Sequence, residues 1–202
     1  GSSYGNSLKS TEKDKSIVKE KRLMANLKKT DYNLSKYTAN STPFILCGDP
    51  KDLGYFLKVY KNHMNIAGKV DGNYVHENIQ ALGKITFKKL KSYYSREQNI
   101  LLKKLDDSIG KKLAVTGIRE VWKAAKEGKG LTLIVEKDYK WPGFVKKNSL
   151  ELFMRPPIEK HEILADAVDD VMEEVLAKKG KVVFVDNGKL EELDRIALLL
   201  RY

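Results

Sequence analysis

The residues best suited to chemistry gather in one short stretch, Arg119, Glu120, Trp122 and Lys123, continued by Lys126 and Lys129. Cationic side chains three to four residues apart share one side of a helix, and such a row can hold phosphates. The indole beside Arg119, Lys123 and Lys126 offers a face that stacks a base or anchors a protein partner. A packing role competes with this reading, since Trp122 falls on the exposed-to-intermediate side of its helix, where a half-buried aromatic is common. Lys84, Lys88, Lys91 and Lys103 make a second basic set, on the outer side of a long helical pattern. The bland alternative for such a face is solvation.

Other chemistry finds little support. His63, His76 and His161 lie far apart with no metal-ligand spacing, and no cysteine pair accompanies them. Asp166, Asp169, Asp170, Glu173 and Glu174 could in principle gather a divalent ion, but the reading their pattern favours is a solvated helix face. Cys47 sits in the apolar run Phe44-Ile45-Leu46-Cys47 without basic neighbours, the setting of a packed core thiol. Neither a Gly-x-Ser-x-Gly elbow, a phosphate loop nor a dinucleotide fingerprint is present. We expect no catalytic residue, no metal and no cofactor.

The basic stretch needs a scaffold. Thr116 is placed to cap a helix carrying Ile118, Val121, Ala124 and Ala125 at helical spacing, closed by Gly128 and Gly130. Leu131–Val135 then reads as a strand covered on both sides. Further on, 158–178 predicts an amphipathic helix, Lys181–Asp186 and Ile196–Tyr202 predict strands, and Leu190–Leu193 one helical turn. The excursion 138–157 contains Trp141 and a candidate strand at Leu150–Met154. Before these, a lysine-rich helix is expected over Lys13–Tyr37, with Ile17, Met24, Leu27 and Leu34 as its apolar stripe. Phe44–Cys47 predicts a strand, and Asp49-Pro50 the start of a helix burying Leu53, Phe56, Leu57 and Tyr60. Residues 62–73 read as loop. His76–Ile109 is the longest helical pattern, with Ile79, Leu82, Leu90, Tyr94, Leu101 and Leu105 inward. The fold class is therefore α/β in two domains, 13–109 and 110–202, after a tail of residues 1–12 that is disordered or left over from cloning. The second domain is expected to be a three-layer α/β/α sandwich.

The 202 residues carry a net charge of +11 and a pI near 9.5, which favours an acidic partner such as nucleic acid. The excess is uneven. Residues 1–108 hold 20 basic against 11 acidic side chains, net +9, and 109–202 hold 18 against 16, net +2. Polyanion contact should favour the first half. A single cysteine fits a reducing compartment, and with no apolar run of membrane-spanning length a cytoplasmic location is expected. The start at Gly1-Ser2-Ser3 suggests that a natural N-terminal region has been removed.

The order of these motifs resembles the archaeo-eukaryotic translation release factors. The helix–glycine–strand unit Gly117–Val135, the strand Val182–Val185 and the closing Leu193–Tyr202, ending in Leu-Arg-Tyr, look like the C-terminal domain of release factors and Pelota, which shares its fold with kink-turn-binding ribosomal proteins. The strand Pro43–Gly48, Val70-Asp71-Gly72-Asn73 with His76, and the long helix look like the middle domain of the family's bacterial branch. That resemblance implies a partial ribonuclease H-like fold in 13–109, a missing N-terminal domain, and work on the ribosome or structured RNA together with a GTPase or ATPase partner. The chain has no Gly-Gly-Gln tripeptide, so hydrolysis of peptidyl-tRNA is not implied. Glu120 and Lys123 match the RNA-reading pattern of kink-turn binders, whereas Arg119 stands where those proteins have asparagine. Our first reading is a non-catalytic factor in translation termination, ribosome rescue or translation inhibition. A protein-interaction scaffold without nucleic acid is the alternative, and a metal-dependent nuclease a weaker one.

Overall fold

The computed structural model describes residues 4–38, 42–60, 66–147 and 149–202. The elements run α1 (Tyr4–Thr38), β1 (Phe44–Gly48), α2 (Pro50–Val59), β2 (Ile66–Asp71), α3 (Ile79–Gly110), β3 (Ala114–Thr116), α4 (Ile118–Lys126), β4 (Gly130–Glu136), β5 (Gly143–Lys146), β6 (Leu152–Phe153), β7 (His161–Leu164), α5 (Ala167–Ala177), β8 (Lys181–Val185) and β9 (Ile196–Leu200). They form two compact units, residues 1–97 and 98–202, and α3 runs through the division. The division falls upstream of the boundary expected near 109 because Leu101, Leu102, Leu105 and Ile109 pack within the second unit.

In the first unit β1 and β2 pair in parallel, Cys47 opposite Val70. Parallel neighbours cannot be joined by a tight hairpin, so α2 makes the crossover. Its start is fixed as expected: the Asp49 carboxylate accepts from Lys51 N–H at 2.9 Å and Pro50 occupies the first turn. Leu53 and Phe56 are buried, and Tyr60 stacks on Phe56 at 5.3 Å while meeting the edge of Phe44 at 5.5 Å. The 62–73 loop reading is corrected by β2. Gly68 and Asp71-Gly72 resembled turns, and only the parallel partner strand supplies the hydrogen bonds that make 66–71 a strand. The first helix starts at Tyr4, well ahead of Lys13, since a nucleated helix extends at little cost per residue. Ile17, expected on its buried stripe, is exposed. Ten-residue α2 spans about 15 Å of a helix about 50 Å long, so most of that stripe has nothing from α2 to lie on.

The second unit is built on a sheet of order β3-β9-β4-β8, with β4 parallel to β8 and antiparallel to β9. The expected adjacency of 131–135, 182–185 and 196–202 holds as far as Leu200, where β9 ends two residues short of the strand expected to run to Tyr202. Alternation along the strands divides the core in two. Leu133, Val135, Ile196 and Leu198 lie with Val121, Ala125, Val168 and Val171 of α4 and α5. Ile134, Ala197 and Leu199 lie with Leu105 and Leu190, backed by Leu101 and Leu102 of α3. These are the three layers predicted. Ile79 and Tyr94, assigned to the inward side of the same helix, are instead exposed.

Three local readings change. Thr116 ends β3 and caps nothing; Gly117 (φ 76°) occupies the N-cap of α4 and no side chain caps that helix. A three-residue strand paired to β9 shows too little periodicity to be read in advance. The helix expected over 158–178 begins only at Ala167, because the Asp166 carboxylate caps Val168 N–H at 3.0 Å. Residues upstream of it form β7, which joins β5 and β6 of the 138–157 excursion in a separate sheet of order β6-β5-β7. The far end of α4 closes at Gly128, whose φ of 77° favours glycine. There the Lys178 ammonium donates to the carbonyls of Ala125 (3.2 Å) and Lys126 (2.9 Å), satisfying the open end of the helix. Glu174 holds that ammonium at 2.7 Å and Lys126 at 3.0 Å.

A side chain at Gly180 would test how tightly α5 feeds β8. A β-carbon there would lie 2.6 Å from Val175 Cγ1 and 2.8 Å from its carbonyl oxygen. Gly180→Ala should destabilise the protein by about 1–3 kcal/mol in urea unfolding followed by circular dichroism, the usual cost of overpacking.

Candidate functional site

The structure separates the stretch at 119–129 into two faces. Arg119, Glu120 and Lys123 are exposed, Lys126 and Lys129 half-buried. Trp122 points inward and is 2% exposed, which corrects its expected outward placement. A helix with Val121, Ala124 and Ala125 buried has a wide inner face, and position 122 adjoins it. Among the described residues the Trp122 Nε1–H has no hydrogen-bond partner, and the Lys126 ammonium lies 4.9 Å from its ring centre. Trp122 is therefore unavailable for stacking a base. Lys129 pairs with Glu127 at 2.6 Å.

Gly117 to Glu120, the first turn of α4, form one wall of a cleft of about 590 Å³. Tyr139, Trp141 and Met154 line it from the excursion, and Glu191, Asp194 and Arg195 from the turn before β9. Its shape depends on Glu136, a carboxylate at the end of β4 that is 1% exposed. Glu136 accepts from Arg195 Nε at 2.7 Å and from Leu190 N–H at 2.9 Å. Burial pushes its pKa up, but the Arg195 guanidinium and the Leu190 amide together outweigh that and hold it below the ordinary value. Asp194 and Arg195 both take left-handed backbone (φ 56° and 66°), uncommon for side chains other than glycine. The carboxylate clamp holds them there.

With Arg195 committed to Glu136, its guanidinium lies 5.2 Å from the Tyr139 ring centre. Burial, then the Asp194 charge, push the Tyr139 phenol up to about 12, so it stays neutral. Trp141 is oriented by two bonds: its backbone N–H donates to Asp166 Oδ1 at 3.0 Å and its indole N–H to Met154 Sδ at 3.2 Å. Arg119 forms no ion pair among the described residues. Two further hollows, of about 340 and 660 Å³, also contain Arg119 and Met154 and extend the cleft past Lys123 on one side and Phe153 and Arg155 on the other. Glu120, Glu191 and Asp194 put three carboxylates in the cleft itself, whereas the adjoining hollow of Arg119, Phe153, Met154 and Arg155 has none, and there two guanidinium groups without ion pairs among the described residues can hold a phosphate beside an aromatic ring.

The remaining candidates are dispersed. Lys84, Lys88 and Lys91 share one exposed stripe of α3 in the first unit, while Lys103 is exposed in the second. Asp166 is spent as a cap, Glu174 on two lysines, and Asp169 and Glu173 are exposed. Among the described residues no group of three or more His, Cys, Asp or Glu is arranged to hold a metal ion. His161 contacts the Glu159 carbonyl at 2.9 Å, His76 is exposed, and His63 lies outside the described residues. Burial raises the pKa of the half-buried Cys47, in keeping with a packed thiol. Glu136, Tyr139, Asp194 and Arg195 were missed in the sequence. The one available signal was an acid directly after a buried strand and a lone arginine directly before another.

Among the described residues no helix is long and apolar enough to cross a membrane. The fold of the chain is similar to that of about half of Dom34 and of archaeal Pelota. Dom34 of S. cerevisiae, described as a termination-like factor in RNA quality control that interacts with Hbs1, superposes with a TM-score of 0.55 at 16% identity, over 87% of this chain and 51% of its own. Archaeal Pelota, described bound to the ribosome with ABCE1, gives a TM-score of 0.60 at 19% identity, over 90% of this chain and 49% of its own. The chain thus spans about half the length of either. Comparison with curated proteins gives no match. The model of the bacterial archaeo-eukaryotic release factor family 3 matches residues 3–129, and the chain belongs to that family.

The clamp makes a pH-dependent prediction. Glu136 and Glu174 both titrate below the ordinary glutamate value of 4.5, Glu174 through its bonds to Lys178 and Lys126. A depressed folded-state pKa contributes stability that is complete above 4.5 and is lost as pH falls through the folded-state values. The urea midpoint should drop below that pH, less steeply in Glu136→Gln. Arg195→Met leaves a buried carboxylate without its cation and should cost about 3 kcal/mol at pH 7.

Proposed function

We propose that this protein is a ribosome- or RNA-associated translation factor, acting in termination, ribosome rescue or translation inhibition through binding and not through catalysis. The observation that carries the reading is the stripe of Lys84, Lys88 and Lys91, exposed on a unit with 18 basic and 9 acidic residues. Like charges left facing water at i, i+4 and i+7 repel one another, and phosphates relieve that repulsion. The first unit then serves as the ribonuclease H-like middle domain and lies against RNA backbone. In the second unit the cleft at Arg119 takes a nucleotide of structured RNA, without asparagine to read a kink-turn. Dom34 and archaeal Pelota are described with Hbs1 and ABCE1 respectively, and by analogy the second unit also docks a GTPase or ATPase partner. Such a factor works in the cytoplasm.

Ribosome pelleting of the full chain across a salt series tests this. Association should fall steeply with salt, and the triple variant Lys84→Gln, Lys88→Gln, Lys91→Gln should flatten the log–log slope by about 2 to 3. Absence of salt-sensitive association, with one RNase-resistant protein partner recovered in its place, would sink the proposal in favour of a scaffold.

A further inference from the structure

The cleft continues onto a surface that nothing above uses, the outer face of the β6-β5-β7 sheet. Phe144 lies directly opposite Phe153 on one side and Ile163 on the other. Opposed residues share a face, so the three form a row across the sheet. Their neighbours Val145 and Leu152 point the other way, Leu152 buried and Val145 packed on the core. The row therefore faces outward, with Ile163 74% exposed and both phenylalanines half-buried. Lys146 and His161, the next opposed pair, stand on the same face. The Lys146 ammonium lies 5.0 Å from the Phe153 ring centre, and the His161 ring meets Phe144 edge-on at 5.4 Å.

Two observations indicate what covers this row. The first is continuity: Phe153 and Arg155 line the same hollow as Arg119, so the path from the cleft to the sheet is unbroken. The second is charge. Arg155 is exposed, lines the hollow with Phe153 and forms no ion pair among the described residues, while exposed Glu151, two residues before Phe153, is the carboxylate that alternation puts on the same side. Lys146 pairs with Glu159 at 2.6 Å, a solvent-facing pair that a phosphate can displace. Glu162 opposes Val145 and so belongs to the opposite face.

We infer that this face is a stacking platform for unpaired nucleotides of an RNA strand leaving the cleft. Phe153 and Phe144, on adjacent strands about 4.8 Å apart, stack two successive bases, as aromatic residues on other sheets do. Lys146 exchanges Glu159 for a backbone phosphate, and Ile163 borders the second base. The inference rests on the reading of the cleft as an RNA site.

The test compares a fluorescent RNA hairpin, blunt or extended by four unpaired uridines, titrated against the full chain. The extension should tighten binding about tenfold, within the range of stacking on one or two aromatic rings. Phe144→Leu and Phe153→Leu keep apolar volume but remove the ring; each should lose that gain and keep its melting temperature within a few degrees, and Phe144→Leu, which lies outside the Arg119 hollows, should bind the blunt hairpin like the wild type. Arg119→Gln should weaken both RNAs alike. No gain from the extension in the wild type, or a gain retained by the leucine variants, overturns the platform and leaves the cleft reading standing. A wild type that binds neither RNA overturns the cleft reading and the platform with it. Leucine variants that release a bound protein while keeping the RNA gain assign the face to protein contact and overturn the platform.

Discussion

A carboxylate out of contact with water is costly unless cations and amides surround it, and Glu136 shows how one such group can organise a domain. It sits at the end of β4, 1% exposed, and accepts from a backbone amide and a guanidinium that both belong to the turn before β9. The Leu190 amide it binds carries a leucine into the core under the sheet, against Leu105. The Arg195 group it binds fixes two successive left-handed residues and sets a cation beside Tyr139. The end of one strand, the start of its neighbour and the wall of the cleft are thus held by one ionised group.

Around that clamp the sheet is enclosed on both faces, which is why its strands are nearly continuous apolar runs. The excursion between β4 and α5 is different in kind. It packs one face against α4 and leaves the other outward, so aromatic residues there are covered only by lysine and histidine side chains. The enclosed sheet supports the cleft, and the outward-facing one extends it. The chain belongs to the bacterial release factor family and shares its fold with about half of Dom34 and of archaeal Pelota.

Much of the scaffold was legible in the chain. Asp49-Pro50 starts α2, Gly128 ends α4, and 131–135, 182–185 and 196–200 pair side by side, because caps, turn glycines and apolar periodicity are local signals. The failures have a common origin. β2 and β3 are strands only because a distant partner supplies hydrogen bonds, β7 interrupts what reads as a helix, and Trp122 turns inward because its helix buries a wider face than its charges suggest.

The sequence by itself determined which segments are helix or strand where the pattern is long, that the protein is α/β in two parts, that the first part is the more basic, and which family it resembles. Only the tertiary structure decided the site. Arg119 meets Trp141 and Arg195 across a cleft, and Phe144 lines up with Phe153 and Ile163. Contacts between residues far apart along the chain leave no periodicity in it: they depend on strand register and on one buried ion pair, which exist only once the sheet has closed.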